Sequence, residues 1–205
     1  MLITRAGKSG AVVVLKTVIG LTGMPGSGKT VISNLARDLG IPVIIMGDVI
    51  REEVARRGLN PTPENLGEIM LKLRADFGDA VVAERCASRI GSLDSPVVLV
   101  EGIRALDEVL FFRKIFPRFE LVAIHSSPRE RFERLRKRKR SDDSQDQEVI
   151  EQRDRRELQV GIGSVIALAD HVFVNDGKLD VLKNEIRSYL LMVISCARSR
   201  NKNRG

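Results

Sequence analysis

Gly23, Met24, Pro25, Gly26, Ser27, Gly28, Lys29 and Thr30 follow the spacing G-x-x-x-x-G-K-[ST]. Residues of these types at this spacing cradle a polyphosphate. The glycines allow a tight loop whose backbone N–H groups converge on an anion. A helix starting near Lys29 points the positive end of its dipole at the same place. Lys29 supplies a mobile charge for the outer phosphates, and Thr30 offers a hydroxyl to Mg²⁺. ATP with Mg²⁺ is the expected ligand pair. The loop alone leaves open whether the phosphoryl group goes to water, to a small molecule or nowhere.

The acceptor side is read from residues after the next two apolar strands. Gly47, Asp48 and Arg51 follow the first, and Glu101, Gly102, Ile103 and Arg104 follow the second. An arginine on a helix facing the cradle takes a phosphate bidentately. Asp48, at the start of that helix, reads as its N-cap.

This pattern resembles the P-loop nucleotide kinases, with their G-D-x-[LI]-R element. The resemblance implies that Arg51 and Arg104 bind the phosphate of a small phosphorylated acceptor. It implies a place for Glu101 near Mg²⁺. Adenylate kinases carry D-G-F-P-R where this chain has Glu101-Gly102-Ile103-Arg104, one residue shorter and with the longer acid. A water-mediated role at the metal is therefore expected for Glu101. The dephospho-CoA kinases are equally similar around Ile19–Gly23 and Val174–Gly177, and there an acid at Asp48 looks like the base.

The basic run RLRKRKRSDD, from Arg134 to Asp143, resembles the lid of nucleotide kinases, with Arg153 as its later arginine. By that resemblance Arg134, Arg138, Arg140 and Arg153 close over the transferred group, and Asp142 and Asp143 orient them. Neutralising charge that develops in a water-excluded site contributes strongly to phosphoryl transfer. Arg134 and Arg138 are four apart and share a helix face. A solvated basic helix and a grip on RNA are the competing readings of this run. Asn175 and Gly177, after the last strand, resemble the loop beside the adenine, and equally read as a plain turn. His125 and His171 each belong to a strand and read as structural.

These residues need a frame. Thr17–Thr22 is an apolar strand running into the cradle, and residues 31–39 form the helix running out, stopped at Gly40. Residues 42–46, 97–100, 120–125 and 171–174 are further short apolar strands. Helices are expected over 48–57, from Thr62 to about 90 with a bend near Gly78, over 107–115, from Ser127 through the basic run, over 148–160 and from 179 to about 196. Strands alternating with helices imply right-handed crossovers and a parallel sheet. The fold class is α/β: a three-layer α/β/α P-loop NTPase of adenylate-kinase type, with about five strands and a short arginine-rich lid.

Residues 1–16 are expected to be an N-terminal extension whose valine run adds an edge strand. Residues 17–196 form the kinase domain, with the acceptor-binding arm at about 47–91 and the lid at about 134–160. Residues 197–205 form a basic, mobile tail. The 205-residue chain has a net charge of +7, no Trp and one Tyr, so its core is aliphatic and its field favours anionic partners. RNA is a candidate partner through the basic run and tail. Two widely spaced cysteines and no apolar run of membrane-spanning length point to a cytoplasmic protein with reduced thiols. The activity expected is transfer of phosphate from ATP to a nucleoside monophosphate. Dephospho-CoA kinase-like transfer and an ATP-driven switch acting on RNA are the alternatives.

Overall fold

A computed structural model describes residues 5–6, 12–13, 16–138 and 147–202. In chain order, β1 (Arg5–Ala6) and β2 (Val12–Val13) are followed by β3 (Thr17–Thr22), α1 (Lys29–Asp38), β4 (Val43–Ile45) and α2 (Met46–Arg56). Next come α3 (Pro63–Phe77), α4 (Val81–Ser92), β5 (Val97–Glu101), α5 (Leu106–Ile115) and β6 (Arg118–His125). The described chain ends with α6 (Pro128–Arg138), α7 (Gln147–Val160), α8 (Ile162–Ala167), β7 (His171–Val174) and α9 (Leu179–Lys202).

Five strands pair in the order β4-β5-β3-β6-β7, every pair parallel. Every residue of β3 is buried, as a central strand covered on both faces requires. On one face Val18, Val98, Val100 and Leu121 pack with α2, α4 and α5. On the other, Ile19, Leu21, Leu99 and Ile124 pack with α1 and α9. Each such aliphatic side chain contributes about 1.5–3 kcal/mol by leaving water. Because the crossovers are helical, the carboxyl ends of β3, β4 and β5 open along one edge, where α/β sheets bind ligands.

The elements depart from the sequence reading in five places. β1 and β2 pair antiparallel with each other and do not extend the main sheet. The helix expected from Asp48 begins at Met46, whose buried side chain anchors the first turn directly behind β4. Asp48 is thus not the N-cap; it stands in the first turn, where an acid favours the helix dipole. The single bent helix is two helices, because Gly78 at φ +92° leaves the helical region. The tail is helical through Lys202, held by Ala197 buried against the second core. Lys16 belongs to the folded body: its ammonium is buried and donates to the carbonyls of Ile90 and Leu93 at the end of α4. The Thr62 cap is as expected, its hydroxyl accepting from the Asn65 N–H at 3.3 Å.

Candidate active site

Two cavities meet at the carboxyl edge of the sheet. The first, of about 510 Å³, is built around the glycine loop. Gly28 caps α1 at φ +110°, and a Cβ there would stand 2.3 Å from Asn175 Nδ2. Gly23, at φ +148°, would drive a Cβ to 2.5 Å from the Ile124 carbonyl. Only glycine meets both demands, and the loop hugs the sheet as a result. The N-terminus of α1, whose first N–H groups lack partners within a helix, begins at this loop.

Lys29 lies across this hollow, its ammonium donating to the carbonyls of Gly23 at 2.5 Å and Met24 at 3.2 Å. Burial pushes its pKa down from 10.5 to about 8, against the opposing pull of the Glu101 carboxylate. Thr30 is exposed in the first turn of α1, its hydroxyl open to solvent. Glu101, at the end of β5, accepts from the Ser33 hydroxyl. Ser33 is buried one turn beyond Thr30, so it fixes the acid beside the loop. Sequence reasoning missed Ser33; its place one helical turn after Thr30, on the same face, was the available signal.

Asn175 is buried, and its Nδ2 donates to the Ser27 carbonyl at 2.8 Å. It braces the phosphate loop. Gly177 is exposed and lines neither cavity. Asp176 accepts from the Ser126 hydroxyl and the Ser127 N–H, which hold its carboxyl below the usual range. Arg134 points into this same corner. Its guanidinium donates to Ser126 Oγ at 2.9 Å and to the Asn175 carbonyl at 2.7 Å. It therefore stands against the loop after β7 while lining the first cavity.

Arg131 was not foreseen. It is buried, donates to the Pro25 carbonyl at 3.0 Å and forms a two-pronged pair with Asp154. One side chain thus ties the phosphate loop to α6 and α7 together. Asp154 directly follows Arg153, which itself lines both cavities. Arg138 is the last residue of α6 and its side chain lies outside the described residues. Arg140, Asp142 and Asp143 also lie outside them.

The second cavity, of about 250 Å³, lies between α2, α3 and α7. Met46, Ile50, Leu66, Met70, Val82 and Ile150 give it aliphatic walls. It joins the first at Gly47, Arg51, Gly102, Arg104, Arg153 and Glu157, which line both. Both acceptor-side arginines are already paired: Arg51 with Asp48 at 2.6 Å and Arg104 with Glu157 at 3.0 Å. Asp48 is about half exposed and lines neither cavity, which leaves a base role there without geometric support. Buried Glu108 accepts from the N–H groups of Arg104 and Ala105 and from Arg74, tying the arginine's backbone to α3.

Among the described residues no cluster of three His, Cys, Asp or Glu side chains could hold a metal by itself. Mg²⁺ at a nucleotide site asks for less: one or two protein oxygens, with phosphates and water supplying the rest. Thr30 and Glu101 fit that demand. No helix among the described residues is long and apolar enough to cross a membrane.

Residues 22–151 match the AAA domain family. A UPF0200 protein of Hyperthermus butylicus is 50% identical over 175 residues, covering 85% of this chain and 94% of its own. A UPF0200 protein of Methanocaldococcus jannaschii is 47% identical, covering 87% and 91%. Among solved structures, shikimate kinase from Bacteroides thetaiotaomicron superposes with a TM-score of 0.55 at 20% identity, covering 86% of this chain and 98% of that one. A gluconokinase from Sinorhizobium meliloti reaches 0.51 at 18% identity, covering 91% and 98%. Those two likenesses establish the fold, a P-loop kinase fold. The phosphate loop, the parallel sheet and the close identity to its archaeal relatives together place the chain in the UPF0200 family of P-loop proteins.

Proposed function

We propose that this protein transfers the γ-phosphoryl group of ATP to a small nucleotide-type acceptor, in the manner of a nucleoside monophosphate kinase. The observation that carries this reading is the junction of two unlike cavities. One is a glycine cradle for polyphosphate; the other is an aliphatic pocket whose mouth carries Arg51, Arg104 and Arg153. A hydrolase has no need for the second pocket.

In this reading the loop N–H groups and Lys29 hold the β- and γ-phosphates. Thr30, and Glu101 through water, would hold Mg²⁺, which would supply positive charge beside the phosphates. Arg51 takes the acceptor's phosphate, exchanging the Asp48 carboxylate for a stronger anion. Arg153 bridges donor and acceptor at the junction. Arg131 and Asp154 keep Arg153 and the loop in register, so the reactants meet in line. A phosphate oxygen is already a nucleophile and needs no strong base. Asp48 then only orients Arg51.

The test is ADP release from Mg-ATP with AMP, CMP, UMP, GMP, dAMP, dephospho-CoA or no acceptor, with Lys29→Ala as the blank. One acceptor should raise the rate at least about a hundredfold, and Lys29→Ala should lower it by about a thousandfold. Asp48→Asn should keep most of the activity. A slow rate that no acceptor stimulates would sink the kinase reading. Collapse of activity in Asp48→Asn would restore that residue as a base.

A further inference from the structure

Glu157 is 7% exposed and stands on α7 where the two cavities join. One carboxylate oxygen forms an ion pair with Arg104 at 3.0 Å, and the other, Oε2, is buried without a hydrogen-bond partner among the described residues. Buried polar atoms in native proteins are paired almost without exception, and a charged oxygen is the costliest to leave alone. No described side chain donates to it; the Lys29 ammonium donates instead to the Gly23 and Met24 carbonyls. Beyond Glu157 the second cavity turns aliphatic, with Met46, Met70 and Ile150. A ligand in the adjoining cavities can supply the missing donor.

We propose that Glu157 Oε2 accepts a hydrogen bond from a sugar hydroxyl of the acceptor, so that Glu157 selects hydroxylated over deoxy acceptors. The inference rests on the reading of the second cavity as the acceptor pocket. A carboxylate accepts and never donates, and it repels phosphate. The acceptor's phosphate therefore belongs with Arg51 and Arg153, and an apolar-faced ring belongs in the aliphatic depth. Between them lies the sugar, whose hydroxyls are the donors at that level. The torsion that turns a glutamate's carboxylate is broad. A small rotation about it carries Oε2 toward the cavity, while Arg104 retains its hold. A deoxy acceptor leaves the oxygen orphaned, and sites built around a buried polar group reject ligands that fail to pair it.

The experiment compares kcat/KM for the best ribonucleotide acceptor with its 2′-deoxy and 3′-deoxy analogues, in the wild type, Glu157→Gln and Glu157→Ala. The wild type should favour the hydroxylated form over one analogue by at least about tenfold. Glu157→Ala should bring that ratio close to one, and Glu157→Gln, which keeps an accepting oxygen, should retain part of it. A wild-type ratio near one overturns the proposal without any variant. So does an equal loss on every acceptor in Glu157→Ala, the mark of a purely structural residue. Phosphorus NMR of the product adds a third check: phosphate found on the hydroxyl would make Glu157 a base and overturn its role as a reader. If no acceptor accelerates turnover, the function reading falls first. Calorimetric affinities of the Mg-ADP complex for the same analogues then supply the ratio, and a value near one overturns this proposal too.

Discussion

The two cavities are built by opposite means. The first cavity is built around one contiguous stretch, Gly23–Thr30, whose glycines permit the close approach of its backbone. The second cavity is walled by side chains of α2, α3, α4, α6 and α7, which come together only when the chain has folded. A backbone cradle binds what every nucleoside triphosphate shares. A wall of aliphatic side chains binds whatever its shape admits. Within one molecule, then, the shared chemistry is held rigidly and the discriminating chemistry is held by parts that can be exchanged.

The largest expected effect comes from breaking the rigid half. Gly28→Ala places a Cβ at φ +110° and 2.3 Å from Asn175 Nδ2. Left-handed backbone at a non-glycine residue costs about 1–3 kcal/mol, and the clash adds to it. Calorimetry should show Mg-ATP affinity lower by about a hundredfold or more. Adding Asn175→Gly removes the collision but not the backbone strain, so it should recover only part of the loss. Wild-type affinity in Gly28→Ala would mean that the loop is not braced through Asn175.

A smaller change sharpens the contrast from the other side. Met70 lines only the second cavity. Met70→Phe fills aliphatic space with a rigid ring, an overpacking worth about 1–3 kcal/mol. The KM for the acceptor should rise about tenfold while the KM for Mg-ATP stays put. Equal movement of both constants would show that the two cavities do not act separately.

The same contrast explains what was legible in the sequence. The cradle was readable because its chemistry is local: eight consecutive residues carry the spacing, and the strand and helix beside them confirm it. The sheet was readable because a strand buried on both faces must be apolar throughout, as β3 is. Arg131 was not readable. Its carboxylate partner is 23 residues away and its carbonyl partner 106, and nothing in a basic run marks which member turns inward. Glu157 hid for the same reason, as one acid in the charged helix α7. Arg134 was placed near the phosphates by its motif position, but its contacts with Ser126 and the Asn175 carbonyl, 8 and 41 residues away, were not readable. Asp48 was misplaced because the helix start depends on Met46 being buried, a tertiary fact.

Lys29 gives a test of the cradle with no mutation at all. Its pKa is depressed from 10.5 to about 8, chiefly because burial disfavours the charged form. Glu101 and Glu157 oppose that depression, while Arg104 and Arg153 reinforce it. In the ligand-free protein the folded state therefore holds this proton less tightly than the unfolded chain. Its contribution to stability grows as pH rises from about 8 toward 10.5. A bound polyphosphate reverses the balance by pairing with the ammonium and raising its pKa. Nucleotide binding must then take up a proton above about pH 8. The affinity should be nearly constant below that point and fall above it, by up to about tenfold per pH unit. Calorimetry at pH 9 in buffers of different ionisation enthalpy should show the uptake directly. Affinity that stays flat from pH 7 to 9.5 would mean the lysine enters the complex with its charge already secured, and the cradle would owe its grip to the backbone alone.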